Sequence, residues 1–246
     1  MKMIEIEFDG HKFYRLLGEM GQFDEEEGAD IKNGGYYIAG KSEKMFADVM
    51  VGMLKLHPEW NFADVGANWG IYSSLVAKRT EGQVWSFEPQ PDNFKVLKKN
   101  AELFENMKCF QKGLGADNRI EKLYTRIGHG GYSMFFGPQK EYVEIEIIPL
   151  DSLKLDINMM KMDVEGYGNY VLQGAKQTLE NLSLLLYEIH RFEDPSLDFL
   201  QDKEFRIFPI VRKTEGIDYI DGILAFDPKL EGEMRGIFRQ MGVKSR

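Results

Sequence analysis

Apolar and polar positions change period several times along the 246-residue chain, and each change marks a predicted element. From Ile4 to Tyr14 they alternate on either side of Asp9-Gly10, the pattern of a β-hairpin closed by a tight turn. Phe46, Val49, Met50, Met53 and Leu54 recur at helical spacing and predict an amphipathic helix that delivers the chain to the first core strand. That strand ends in Phe62-Ala63-Asp64-Val65. Small residues follow, and Ile71, Tyr72, Leu75 and Val76 resume helical spacing, so the segment reads as strand, tight turn, helix. Gln83 to Pro89 is a second strand, reached by the right-handed crossover that a parallel neighbour requires.

Pro91-Asp92 opens a helix with Phe94, Leu97, Ala101 and Phe104 on its apolar side. Lys108 to Gly115 predicts a third parallel strand. Glu121–Tyr124 and Tyr142–Ile148 alternate like an antiparallel insertion around Gly128-His129-Gly130-Gly131, a flexible turn or a lid. Met159 to Glu165 is a fourth core strand, followed by a helix carrying Leu172, Ala175, Leu179 and Leu182; Leu184 to His190 is a fifth. After a helix or turn around Pro195 to Leu200, Phe205–Val211 and Gly222–Phe226 read as the last strands, joined by 218–222, and Glu231 onward as a terminal helix. Strands alternating with helices predict an α/β fold on a mostly parallel sheet. The division expected is an N-terminal hairpin and helix extension, residues 1–57, and one α/β domain, residues 58–246.

Composition narrows the function. A formal net charge of −9 argues against a nucleic-acid partner, which needs basic surface to neutralise phosphates. The single cysteine, Cys109, allows no disulfide within the chain and fits a reducing compartment. Neither a long apolar span nor a signal-peptide pattern occurs, so no membrane partner and a cytoplasmic location are the expectation. Asp24-Glu25-Glu26-Glu27 reads as a solvated loop, and no metal site is predicted.

Candidate chemistry gathers at the predicted strand ends. Gly66, Ala67, Asn68 and Gly70 form a small-residue turn into a helix; glycines there let backbone approach a ligand and leave the helix N–H groups free for its oxygens. Asn68 stands where the dinucleotide fingerprint needs its middle glycine, which disfavours a nicotinamide cofactor. Glu88 ends the second strand, placed to accept hydrogen bonds from two ribose hydroxyls, and pairs in this task with Asp64. Leu114 closes the third strand, where an adenine ring would lie. Strand alternation puts Asp163 and Glu165 on one face of the fourth strand, and Glu188 and His190 end the fifth. Side by side, these strands would bring Asp64, Asp163, Glu165, Glu188 and His190 to one cleft.

DVGANWG at 64–70, FEPQPDNFKVLKKN at 87–100, PLDSL at 149–153, KMDVEGYGNYVLQGA at 161–175 and YEIH at 187–190 together resemble the FkbM-type S-adenosylmethionine-dependent methyltransferases. The resemblance implies a Rossmann-like class I methyltransferase fold, a seven-stranded mostly parallel sheet with a reversed last strand. It also implies S-adenosyl-L-methionine as cofactor, with Asp163 beside its amino-acid end, and O-methylation of a small-molecule or sugar hydroxyl. Such an acceptor needs its proton removed: His190 titrates near neutrality and is the candidate base, with Glu188 or Glu165 orienting it or acting instead. One position departs from the family, Gly168, where a second glutamate usually stands. The alternatives are an NAD-dependent oxidoreductase on a related fold and a non-catalytic cofactor-binding relative.

Overall fold

Four short strands at the centre of the molecule are buried along their whole length, the reason their sequences are nearly continuous apolar runs. The computed structural model describes residues 2–8, 11–17, 41–125, 132–133, 142–189, 191, 193–214 and 217–243. In chain order it contains β1 (Lys2–Phe8), β2 (His11–Leu17), α1 (Lys41–Leu56), β3 (Phe62–Val65), α2 (Ile71–Ala77), β4 (Val84–Phe87), α3 (Pro91–Ala101), β5 (Met107–Phe110) and β6 (Gly113–Leu114). There follow β7 (Arg119–Thr125), β8 (Tyr132–Ser133), β9 (Tyr142–Ile148), β10 (Met159–Met162), α4 (Gly168–Gln173), α5 (Thr178–Asn181) and β11 (Leu184–Tyr187). The chain closes with α6 (Pro195–Asp202), β12 (Arg206–Thr214), β13 (Ile217–Phe226) and α7 (Glu231–Gln240).

The main sheet has seven strands in the order β12-β13-β11-β10-β3-β4-β5. β13 runs antiparallel to both β11 and β12, and the other pairings are parallel. This is the mostly parallel sheet with a reversed last strand that the resemblance implies. Phe62, Met159, Leu184 and Leu186 face one layer with α1, α2, α3 and α7. Ala63, Val65, Met160, Met162, Leu185 and Tyr187 face the other, with α4, α5 and α6. Helix α1 forms where Phe46, Val49, Met50, Met53 and Leu54 predict it, and these side chains belong to the same core as the sheet. No helix among the described residues is long and apolar enough to cross a membrane.

The predicted hairpin pairs Phe8 with His11 around Asp9-Gly10. A buried amide helps tie it to the domain. Asn100 Oδ1 accepts the Tyr14 N–H at 2.7 Å, and Asn100 Nδ2 donates to the carbonyls of Tyr14 at 2.9 Å and Trp69 at 2.8 Å.

Four expectations change. The predicted third strand is two: β5 edges the main sheet, while β6 leaves it to pair with β9. Gly113 permits that departure, since a Cβ there would sit 2.5 Å from Ile147 Cδ1. The predicted link at 218–222 is strand within β13, with a register shift between Ile210 and Val211. Gly222 lies there because Phe46 Cζ of α1 would be 2.8 Å from its Cβ, a packing demand rather than a turn. The helix after β10 is broken into α4 and α5 at Gly174, whose Cβ would lie 2.8 Å from the Gly115 carbonyl carbon. Finally, β10 ends at Met162, before Asp163. The loops at 24–27, 34–37 and 128–131 lie outside the described residues.

Candidate active site

Loops leaving the carboxyl ends of β3, β4, β10 and β11 are stitched to one another by backbone hydrogen bonds. Gly66 and Ala67 donate to the Phe87 carbonyl at 3.0 and 2.9 Å, Asp163 to Val65 at 2.9 Å, Glu188 to Met162 at 2.9 Å, and Glu88 to Phe110 at 3.1 Å. Asp163, Glu88 and Glu188 are thereby held along one edge of the sheet, the edge at which open α/β sheets bind ligands.

Between β3 and α2 the backbone takes positive φ at Gly66 (77°), Asn68 (52°) and Gly70 (85°). Asparagine is among the few residues other than glycine that tolerate this region, which accounts for its place in the turn. The exposed Asn68 still carries a side chain where the dinucleotide fingerprint needs bare backbone. Gly70 must be glycine for a second reason: a Cβ would lie 2.6 Å from Leu97 Cδ1 of α3. At Gly66 a Cβ would lie 3.0 Å from the Asp163 carbonyl carbon, so the β3 and β10 loops meet backbone to backbone.

Glu88 is buried and turned inward. Its Oε2 accepts the Asn68 N–H and its Oε1 the Gln90 N–H, both at 2.8 Å, which fixes the glycine loop and the start of α3 together. Burial pushes the carboxyl up to about 7, against the lowering effect of those two N–H donors.

Asp64 does not open onto the cleft. Its side chain is fully buried, and Oδ2 accepts the Ser73 N–H at 3.0 Å and the Ser73 hydroxyl at 2.6 Å, with Ser86 Oγ 2.7 Å from Ser73 Oγ. It serves the start of α2, so the expected pairing of Asp64 with Glu88 in one task does not appear in the geometry. Burial raises the Asp64 carboxyl, opposed by Lys161 and Ser73.

Lys161, to which no sequence motif assigns a role, lies at the centre. Its Cα pairs with Asp64 across β10 and β3, and its Nζ lies 3.2 Å from Asp163 Oδ2, 4.0 Å from Asp64 Oδ1 and 5.0 Å from the Tyr72 ring centroid. Burial works against the ammonium, yet Asp163, Asp64 and Glu188 together outweigh it and hold it above its ordinary value. A lysine inside an otherwise apolar strand was the signal for it: such a charge needs a buried partner.

The other predicted residues fall into four groups. Asp163 and Glu188 are half-buried at the edge. Glu165 lies three residues past β10 at φ 50°, so strand alternation does not set its direction relative to Asp163. Ala67 and Leu114 are buried, Leu114 within the core layer of α4 and α5. His190 lies outside the described residues. Among those described, no group of three acidic, histidine or cysteine side chains could hold a metal ion.

A curated relative, the hexuronic acid methyltransferase AglP of Haloferax volcanii, is 27% identical over 146 residues, covering 54% of this chain and 56% of that protein. The chain thus matches little more than half the length of that relative. Similar solved structures include a precorrin-6Y C5,15-methyltransferase from Geobacter metallireducens, with TM-score 0.46, 13% identity and coverage of 74% of this chain and 87% of that one. An rRNA methylase from Streptococcus thermophilus has TM-score 0.46, 12% identity and coverage of 74% and 94%. The family model described as the methyltransferase FkbM domain matches residues 64–242, and the chain belongs to that family.

Proposed function

We propose that the chain is an S-adenosyl-L-methionine-dependent methyltransferase that methylates a hydroxyl of a sugar or other small molecule. Family membership supports the reaction class. The named activity of the archaeal relative supports a sugar, in particular an acidic one. One observation carries the cofactor reading: a glycine turn with three positive-φ residues is bonded to Glu88, just past the end of the next strand, with half-buried Asp163 just past the end of the strand on its other side.

These residues fit such a cofactor. The carboxyl-rich edge suits a ligand that presents hydroxyl donors and an ammonium group, and the backbone contact at Gly66 leaves the turn close to it. Glu88 would accept from the ribose hydroxyls, Asp163 would face the amino-acid end, and the backbone of Gly66 to Gly70 would line the join between them. Leu114 would flank the adenine from its buried position. When bound, the cofactor supplies an electrophilic methyl group on a sulfonium. The chain would hold the acceptor in line and take its hydroxyl proton onto Glu188, Glu165 or His190.

Calorimetric titration with S-adenosylmethionine, S-adenosylhomocysteine and NAD tests the reading. Heat from the two sulfur nucleosides and none from NAD is expected, followed by transfer of labelled methyl to hexuronic acid or neutral sugar acceptors. Binding of NAD alone, or no binding by either sulfur nucleoside, overturns it.

A further inference from the structure

Ser86, Asp64 and Lys161 lie in register across β4, β3 and β10, beneath α2. The charges in this row are incompletely matched. Asp64 spends Oδ2 on Ser73 and leaves Oδ1, fully buried, without a hydrogen-bond partner among the described residues. Facing it is an ammonium with three protons that makes its hydrogen bond elsewhere, to Asp163 Oδ2 at 3.2 Å. The 4.0 Å between Lys161 Nζ and Asp64 Oδ1 exceeds hydrogen-bond length by about 1 Å. Solvent reaches the Asp163 side chain, 35% exposed, but hardly that of Lys161 at 5% or Asp64 at 1%. A bare buried carboxylate oxygen is costly, and a nearby donor spent on the more accessible carboxylate points to a second arrangement.

We propose that Lys161 is a built-in stand-in for the ammonium group of the bound cofactor: it occupies Asp163 while the site is open, and moves to Asp64 Oδ1 when the ligand ammonium takes Asp163. The inference rests on the cofactor reading above. The movement required at Nζ is about 1 Å, within the freedom of a four-carbon lysine stem. In both arrangements Lys161 serves one aspartate; in the second, the incoming cation serves the other. The Tyr72 ring faces the ammonium throughout and favours its charge. Asp64 then acts on the ligand indirectly, as a positioning residue that receives the displaced lysine.

Two ligands separate this role from others: S-adenosylhomocysteine, which carries the amino-acid ammonium, and methylthioadenosine, which lacks it. Affinities for both are measured by calorimetry on the full chain, with a thermal melt of each variant to establish folding. Lys161→Met removes the competitor, so the preference for S-adenosylhomocysteine over methylthioadenosine should hold or increase. Asp64→Asn leaves the lysine on Asp163, so S-adenosylhomocysteine should weaken on the order of ten-fold while methylthioadenosine is unchanged. The double variant should recover S-adenosylhomocysteine affinity relative to Asp64→Asn. A fall in that preference in folded Lys161→Met overturns the proposal, because the lysine would then bind the ligand directly. Equal loss of both ligands, or no recovery in the double variant, overturns it as well. Either single variant decides alone if the other does not fold. If the wild-type chain binds neither nucleoside, the cofactor reading itself falls and the stand-in with it.

Discussion

Gly168 and Tyr187 compete for the same space: a Cβ at position 168 would collide with the Tyr187 hydroxyl and lie 2.7 Å from its Cε2. Tyr187 ends β11 fully buried, its hydroxyl 3.2 Å from Ser196 Oγ. Burial raises this phenol well above its ordinary value, so it stays neutral. The residue that departs from the family pattern is thus bare because an aromatic side chain from the neighbouring strand fills its place. Gly168→Ala should destabilise the fold by about 1–3 kcal/mol through overpacking. Tyr187→Phe should not relieve the clash, because the ring itself is in the way, whereas a smaller residue at 187 should relieve part of it. Urea unfolding midpoints check this, and an unchanged midpoint for Gly168→Ala would contradict the packing argument.

Glu88 should make both stability and binding depend on pH. Its folded value of about 7 exceeds the ordinary 4.5, so the folded chain holds this proton more tightly than the unfolded chain. The associated stability is present below about 4.5 and is lost as pH rises through about 7, a change on the order of 3 kcal/mol. Relative to Glu88→Gln, the wild type should therefore lose stability across that window. Ribose hydroxyls donating to the ionised carboxylate reverse the sign for binding, and S-adenosylhomocysteine affinity should rise between about pH 6 and 8. A flat affinity profile over that range would remove Glu88 from the ribose site.

Asn100 should control how firmly the N-terminal hairpin is held. Asn100→Ala would leave the Tyr14 N–H and the Tyr14 and Trp69 carbonyls without this partner, at about 2–3 kcal/mol for a buried set. Hydrogen exchange at Tyr14 should accelerate markedly. Because the same amide holds Trp69 beside the glycine turn, cofactor affinity should weaken as well. Exchange unchanged at Tyr14 would show that the hairpin is held by other contacts.

Asp151 has a structural task. Its Oδ1 accepts the Thr178 N–H at 2.9 Å and the Thr178 hydroxyl at 2.8 Å, and its Oδ2 accepts the Gln177 N–H at 2.9 Å, so it caps α5 from the 3-10 turn that follows β9. Asp151→Ala should lower stability by about 1–2 kcal/mol, the usual worth of a helix cap, with Asp151→Asn losing less. The comparison of the two denaturation midpoints decides. An equal loss in both would point to charge rather than capping.

The sequence exposed the site unevenly. Gly66, Asn68 and Gly70 were readable because each answers to local backbone conformation, and Glu88 because a strand end can be counted from an apolar run. Lys161 is not legible in this way, since a lone charge in a strand carries no meaning until its partners on β3 and the β10 loop are known. A shared face for Asp163 and Glu165 requires strand as far as Glu165, but alternation holds only while the chain is strand, and it ceases at Met162. Locally, Gly174 reads as the interior of one helix and Gly222 as part of a link, yet each answers to a distant group, the Gly115 carbonyl and the Phe46 ring.

By itself, then, the sequence determined the hairpin, the order of strands and helices and the parallel core, because hydrophobic period and turn chemistry are local properties written along the chain. Tertiary structure alone decided that Asp64 serves a helix end while Asp163 stays half-buried at the sheet edge, that Lys161 lies between them, and that Tyr187 leaves no room at Gly168. Each of those outcomes depends on atoms from separate elements meeting in a space where water cannot stand in for a missing partner.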